Sequence, residues 1–136
     1  MHNRIQYSVA VANAKLNAIE TAIGASAVLK LRTGSPPASV ADADSGIVIA
    51  TMNLPSDWMD AAALGSKAKL GTWQDLSADA SGTPGHFRIY QSDGTTPHIQ
   101  GTTGTSDADL ILDKTVYTIG EAITIAAFTI LGGNYP

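Results

Sequence analysis

The carboxylates and histidines of this 136-residue chain bound the chemistry it could perform. Asp42 with Asp44, and Asp107 with Asp109, form two Asp-x-Asp pairs in stretches rich in Ser, Thr and Gly. Ca²⁺ takes six to eight oxygens from loop carboxylates and carbonyls. Each pair therefore begins a calcium site without completing one, and neither follows the EF-hand pattern. The same residue types cap local backbone in ordinary turns, and both readings stand. His86 and His98 lie twelve positions apart around an Asp93-Gly94 turn, which would set them nearly opposite one another across a hairpin. Two histidines still lack the further ligands that a zinc site needs. Asp57 and Asp60 flank Trp58 and Met59. Two carboxylates beside an indole that can stack on a sugar would suit a glycoside hydrolase or a carbohydrate-binding surface. In a Pro-Ser-Asp turn, however, Trp58-Met59 also reads as a plug closing one end of a core.

Motifs that carry catalysis or cofactors are missing. There is no Gly-x-Ser-x-Gly elbow, no P-loop, no Gly-x-Gly-x-x-Gly and no His-Glu-x-x-His, and the chain is expected to be no enzyme and to use no cofactor or metal. Cysteine is absent, which excludes disulfides and thiolate metal sites. A net charge of −4 with eight scattered Lys and Arg argues against nucleic acid, whose phosphates need clustered cations. Lys30 with Arg32, and Lys67 with Lys69, sit at strand spacing and read as solvated strand faces. Only 15% of residues are charged, against about 25% in ordinary domains, so the surface is weakly protected against association. The N-terminus has no secretory apolar region, and no apolar run approaches the ~18 residues of a membrane span. The expectation is a soluble protein made in a cytoplasm, without a membrane partner.

The elements that must position these residues follow from periodicity. Ile5, Val9, Ala12, Leu16, Ile19 and Ile23 recur at steps of four, three, four, three and four, the stripe of one amphipathic helix. Asn3 is its expected N-cap and Gly24 its stop, with Asn13, Lys15, Asn17 and Glu20 off the stripe. From there the period becomes two. Strands are expected over 27–32, 47–54, 68–76, 86–91, 96–100, 108–112 and 123–131, with a helical turn at 61–64. Asp93-Gly94 is a strong hairpin signal, and Pro97 must start its strand or lie at an edge. Residues 123–131, with Ile123 and Ile125 on one face and Phe128 and Ile130 on the other, predict a strand buried on both sides. Short strands with frequent turns give a mainly-β fold, an antiparallel β-sandwich or jelly roll behind one N-terminal amphipathic helix. The domain organisation is a helix over 1–24 and a sandwich over 25–136, together one domain.

Several blocks of the chain also match a pattern. They are Thr33-Gly34-Ser35-Pro36-Pro37; Gly46-Ile47-Val48-Ile49-Ala50-Thr51; Ser77-Ala78-Asp79-Ala80-Ser81-Gly82-Thr83-Pro84-Gly85-His86-Phe87-Arg88-Ile89-Tyr90; Gly101-Thr102-Thr103-Gly104-Thr105-Ser106-Asp107-Ala108-Asp109-Leu110; and Phe128-Thr129-Ile130. In these, over nearly its whole length, the chain resembles small virion structural proteins of tailed bacteriophages, similar to the jelly-roll capsid cement or decoration protein of short-tailed phages. His86 departs from the pattern, which often has a large aromatic there. The resemblance implies a homo-oligomer, dimer or trimer, on the outer capsid surface of the virion, stabilising the icosahedral shell by bridging major capsid protein subunits. It supplies no catalytic residues. A tail, collar or fibre-adaptor role is the alternative, and a carbohydrate-binding adsorption module a further one. The expected interface residues are Ile5, Val9, Leu16 and Ile19 on the helix, with Trp58 and Met59 as apolar anchors.

Overall fold

The computed structural model describes residues 5–133. One helix, α1 (Val9–Ile23), precedes the strands β1 (Val28–Thr33), β2 (Val48–Asn53), β3 (Ser66–Ala68), β4 (Gln74–Asp75), β5 (Pro84–Tyr90), β6 (Pro97–Gly104), β7 (Leu110–Leu112) and β8 (Ile123–Leu131). The expected mainly-β class with one N-terminal helix is what the chain adopts. The strands form one eight-stranded mixed sheet in the order β2-β1-β5-β6-β7-β8-β3, with β4 also on β8. Every pairing is antiparallel except β6 with β7. The sheet curls until its ends meet: Thr51 N–H donates to the Asp75 carboxylate at 3.0 Å, and Asp79 N–H to Ile49 O at 2.8 Å.

The curl encloses one core. Trp58, Trp73, Phe128 and Phe87 run through it as a chain of rings with centroids 6.0, 5.6 and 5.5 Å apart, surrounded by Leu29, Leu31, Ile49, Ile89, Ile123 and Ile125. Tilted and edge-on rings at such spacings add favourable quadrupole contacts to the buried area. The helix adds Ile23 to this core with Ile19 packed against it, and Ala12 and Leu16 of the helix are buried as well.

Four expectations change in detail. The helix begins at Val9, because the Ser8 hydroxyl caps it by accepting from Val11 N–H at 3.2 Å. Ile5 therefore precedes it, and Asn3 lies outside the described residues. The 68–76 segment is broken at Gly71 (φ +74°), leaving β3 and β4 on either side of buried Trp73. Residues 61–64 make no helical turn; Leu64 (φ +51°) and Gly65 (φ +75°) form a tight hairpin turn closed by the Ala63–Ser66 bridge. In β8, Phe128 shares the inner face with Ile123 and Ile125 instead of facing away. The register passes from Ile111–Ala127 to Leu112–Ile125, so β8 carries one extra residue there, a bulge that flips every later side chain. The strand is buried on one side only, with Thr124 and Ala126 exposed.

The hairpin forms as Asp93-Gly94 predicts, with Pro97 at the start of β6. The Asp93 carboxylate accepts from Thr95 N–H, Thr96 N–H and the Thr96 hydroxyl at 2.7–2.9 Å. These bonds hold it far below the usual carboxylate range.

Candidate functional site

Most of the residues singled out for chemistry are engaged in holding loops. β5 is buried on both faces: Phe87 and Ile89 enter the core, while His86, Arg88 and Tyr90 point out beneath the 34–46 loop. Arg88 is fully buried. Its guanidinium donates to Asp44 at 3.0 Å, to Ser39 O and Asp42 O at 3.1 and 2.9 Å, and twice to the Gln100 side chain. Arg32 pairs with the other Asp44 oxygen at 3.0 Å, and the Tyr90 hydroxyl donates to Asp44 at 2.7 Å. Burial alone would raise the Asp44 pKa, but Tyr90, Arg32 and Arg88 together lower it. Asp42 caps Ser39 N–H. The first Asp-x-Asp pair thus does the work of a loop clamp. In the second, Asp109 accepts from Thr102 N–H and hydroxyl. Among the described residues, no three His, Asp or Glu side chains gather where they could share a metal ion.

His86 and His98 are not neighbours. His86 lies opposite Thr102, because it stands seven residues before Asp93 whereas His98 follows Gly94 by only four. Its Nδ1 meets Gly34 O at 2.8 Å, while His98 Nε2 meets Gln91. The solvated strand faces also need correction. Arg32 and Lys67 are buried, each because a carboxylate from another segment covers it.

Lys67 ties the helix to the β3 hairpin. Its Nζ lies 3.0 Å from Glu20 and Asn17 and 2.7 Å from Asp60 O. Beside it, Asn13, Asn17 and Glu20 accept from the main-chain N–H groups of Gly65, Ala62 and Met59. Burial opposes ionisation of Glu20, yet Lys67 and these bonds leave its pKa below the ordinary value. Asp57 is pushed the other way, first by its hydrogen bond with Glu20. Asn13, Asn17 and Glu20, off the apolar stripe, therefore form the helix's polar seam to the hairpin, and their four-then-three spacing was its sequence signal.

The expected interface residues divide. Leu16, Trp58 and Met59 are buried inside this chain, which removes them as surface anchors. The Trp58 Nε1–H also donates to Gly24 O at 2.9 Å, closing the end of α1, as a core plug does. Val9 and Ile19 are half-buried and Ile5 is 62% exposed.

Apolar groups remain at the surface along α1, and Ile47, Leu76, Val116 and Ile119 are exposed on other segments. A groove of about 650 Å³ runs between Ile19, Ala22 and Ile23 of the helix, His98, Ile99 and Gln100 of β6, and Phe128 to Leu131 of β8, floored in part by Phe87. It continues past Ile19 and Leu131 to Lys15, Gly132 and Gly133. Leu64, 80% exposed at the hairpin tip, and Leu131, 66% exposed, stand near its end, where Gly132 N–H bonds Gly65 O.

The groove exists because β7 is three residues long. Adjacent strands are about 4.8 Å apart, so where β7 stops, β6 and β8 face each other across a gap one strand wide. The Thr102 N–H points into the β7 side, to Asp109, and strand alternation turns the main-chain groups of Gln100 the same way. On β8, Phe128 O and Gly132 N–H bond the β3 hairpin, which turns the main-chain groups of Leu131 toward the gap. Against known protein families, curated proteins and solved structures, the chain has no match.

Proposed function

We propose that this protein is a structural subunit of a tailed-phage particle, a cement or decoration protein that bridges major capsid protein subunits and associates with itself. The observation that supports an assembly role is the apolar surface along α1, with Leu64 80% and Leu131 66% exposed beside the groove on a chain only 15% charged. Apolar side chains gathered at a surface beside a groove mark a face that a partner covers. The assignment to a phage rests on the sequence blocks. A small subunit seated between capsomers stabilises a shell by adding buried area, roughly 1,600 Å² in a standard contact, repeated at every equivalent site. No bond is made or broken. The ionisable side chains fit this reading, since Asp44, Glu20, Arg88 and Lys67 are committed to internal clamps. Burial of Trp58 removes the surface on which a sugar-binding reading depended.

Reconstruction of the virion tests the proposal. Copies spread over the icosahedral shell are expected. Copies at a single vertex would instead make the protein a tail, collar or fibre-adaptor subunit.

A further inference from the structure

We propose that a single water molecule is built into the fold beneath the 34–46 loop, bridging Arg32 of β1 and His86 of β5. The inference concerns the interior of one chain and stands apart from the assembly reading.

Two buried polar atoms point to it. Arg32 and His86 are direct partners in the β1–β5 register, and both lie beneath the loop. Side chains opposed in this way have Cβ atoms about 5 Å apart. His86 is 0% exposed and Arg32 only 7%. Arg32 Nε and His86 Nε2 are both closed to solvent, and neither has a hydrogen-bond partner among the described residues. The other polar atoms of the two side chains are taken. Arg32 donates through its terminal nitrogens to Gly46 O at 3.4 Å and to Asp44 at 3.0 Å. His86 Nδ1 meets Gly34 O at 2.8 Å.

The chemistry of the two atoms selects the guest. A carbonyl oxygen can only accept, so the neutral His86 ring carries its proton on Nδ1 and offers a lone pair at Nε2. Arg32 Nε offers a proton and no lone pair. A water molecule accepts from the one and donates to the other. An anion needs donors on both sides and would meet the Nε2 lone pair instead. A metal cation would face the guanidiniums of Arg32 and of Arg88, two residues further along β5, and no three ligating side chains gather among the described residues. Buried waters typically serve such groups, through two or more hydrogen bonds.

The bridge also joins the two ends of the loop. His86 holds its start through Gly34 O, and Arg32 holds its far end through Asp44 and Gly46 O. A water between them makes one continuous network, and such networks strengthen their member bonds. The Arg88 clamp bonds Ser39, Asp42 and Asp44 and does not reach Gly34.

High-resolution crystallography of the intact chain tests the site. One water oxygen is expected about 3 Å from both Arg32 Nε and His86 Nε2. Long-range proton–nitrogen correlation of the His86 ring, at alkaline pH where an imidazole is ordinarily neutral, should find the proton on Nδ1. In solution, oxygen-17 relaxation dispersion counts long-lived internal waters, and His86→Phe is expected to hold one fewer than the unaltered chain. A direct bond between Arg32 and His86, with no water between them, would overturn the proposal. So would a ring proton on Nε2, or a bromide peak at the site in crystals grown from bromide. An unchanged water count in a folded His86→Phe protein would do the same. The crystal and the ring correlation use the unaltered chain, so they decide the matter even if His86→Phe fails to fold.

Discussion

The guanidinium of Arg88, fully buried on the outer face of β5, lies 3.0 Å from the carboxylate of Asp44, a residue of the loop that buries it. The pair is asymmetric: the Asp44 side chain remains 35% exposed. Arg88 depends on the loop far more than the loop's carboxylate depends on Arg88. Its other bonds, to Ser39 O, Asp42 O and Gln100, make the guanidinium a frame around which the 39–44 segment is folded.

Removing either partner should therefore be costly. Asp44→Asn leaves a buried cation without its counter-charge and is expected to destabilise by about 3–5 kcal/mol. Arg88→Lys is expected to fall in the same range, because one ammonium cannot replace the five donors of a planar fork. Urea unfolding of both variants measures this. Losses below about 1 kcal/mol would mean that the loop is held by something else.

Acid should loosen the helix and the loop clamp together. Glu20 and Asp44 hold their protons less tightly folded than unfolded, below ordinary values of 4.5 and 3.8. Their stabilisation is present above those values and lost as pH falls through the lower folded ones. Asp57 has the opposite sign: its raised pKa favours the fold when protonated, and that benefit disappears as pH rises. Asp57→Asn should thus raise the urea midpoint at pH 7 and give no gain at acid pH. A gain of equal size at every pH would show that the Glu20–Asp57 contact is not responsible.

The strands were legible in the sequence where one face is apolar and the other polar, as in β1 and β2. They were misread where a bulge intervened, since period two cannot reveal the extra residue that returns Phe128 to the core. The clamps were hidden for a different reason. Arg88 alternates correctly with Phe87 and Ile89, so it looks solvated until the 34–46 loop is folded over it, and loop placement has no local period. Trp58 and Met59 were ambiguous for the same reason. A large apolar residue in a turn is an anchor or a plug depending on whether the far end of α1 reaches it.

Two glycine substitutions should separate backbone collision from conformational strain. At Gly46 (φ +77°) an added Cβ would meet Thr33 O at 2.1 Å, whereas at Gly120 (φ +86°) it would meet nothing within 4 Å. Gly120→Ala should cost only the left-handed penalty, about 1–2 kcal/mol. Gly46→Ala carries that penalty and must also push β1 away from the 46–47 segment, breaking the 3.0 Å bond from Thr33 N–H to Ile47 O. Comparable thermal shifts for the two variants would refute the close approach.

If the protein assembles as proposed, Leu64 sets stability against assembly. It occupies the first central position of a tight turn with φ +51°, where hairpins favour Asn before Gly and a Leu side chain is strained by roughly 1–2 kcal/mol. Its side chain is 80% exposed, so packing within the chain gives little in return. Strain retained at an exposed apolar residue points to a use outside the fold. Leu64→Asn is expected to raise the folding stability by about 1 kcal/mol, because Asn tolerates this conformation better. The same change should weaken shell binding by about 2 kcal/mol, the scale of an interface anchor. Calorimetric melting and a capsid-binding titration on one preparation measure the two effects. Opposite signs are the signature of an anchor, and a more stable protein that still binds capsids at full strength would remove Leu64 from the interface.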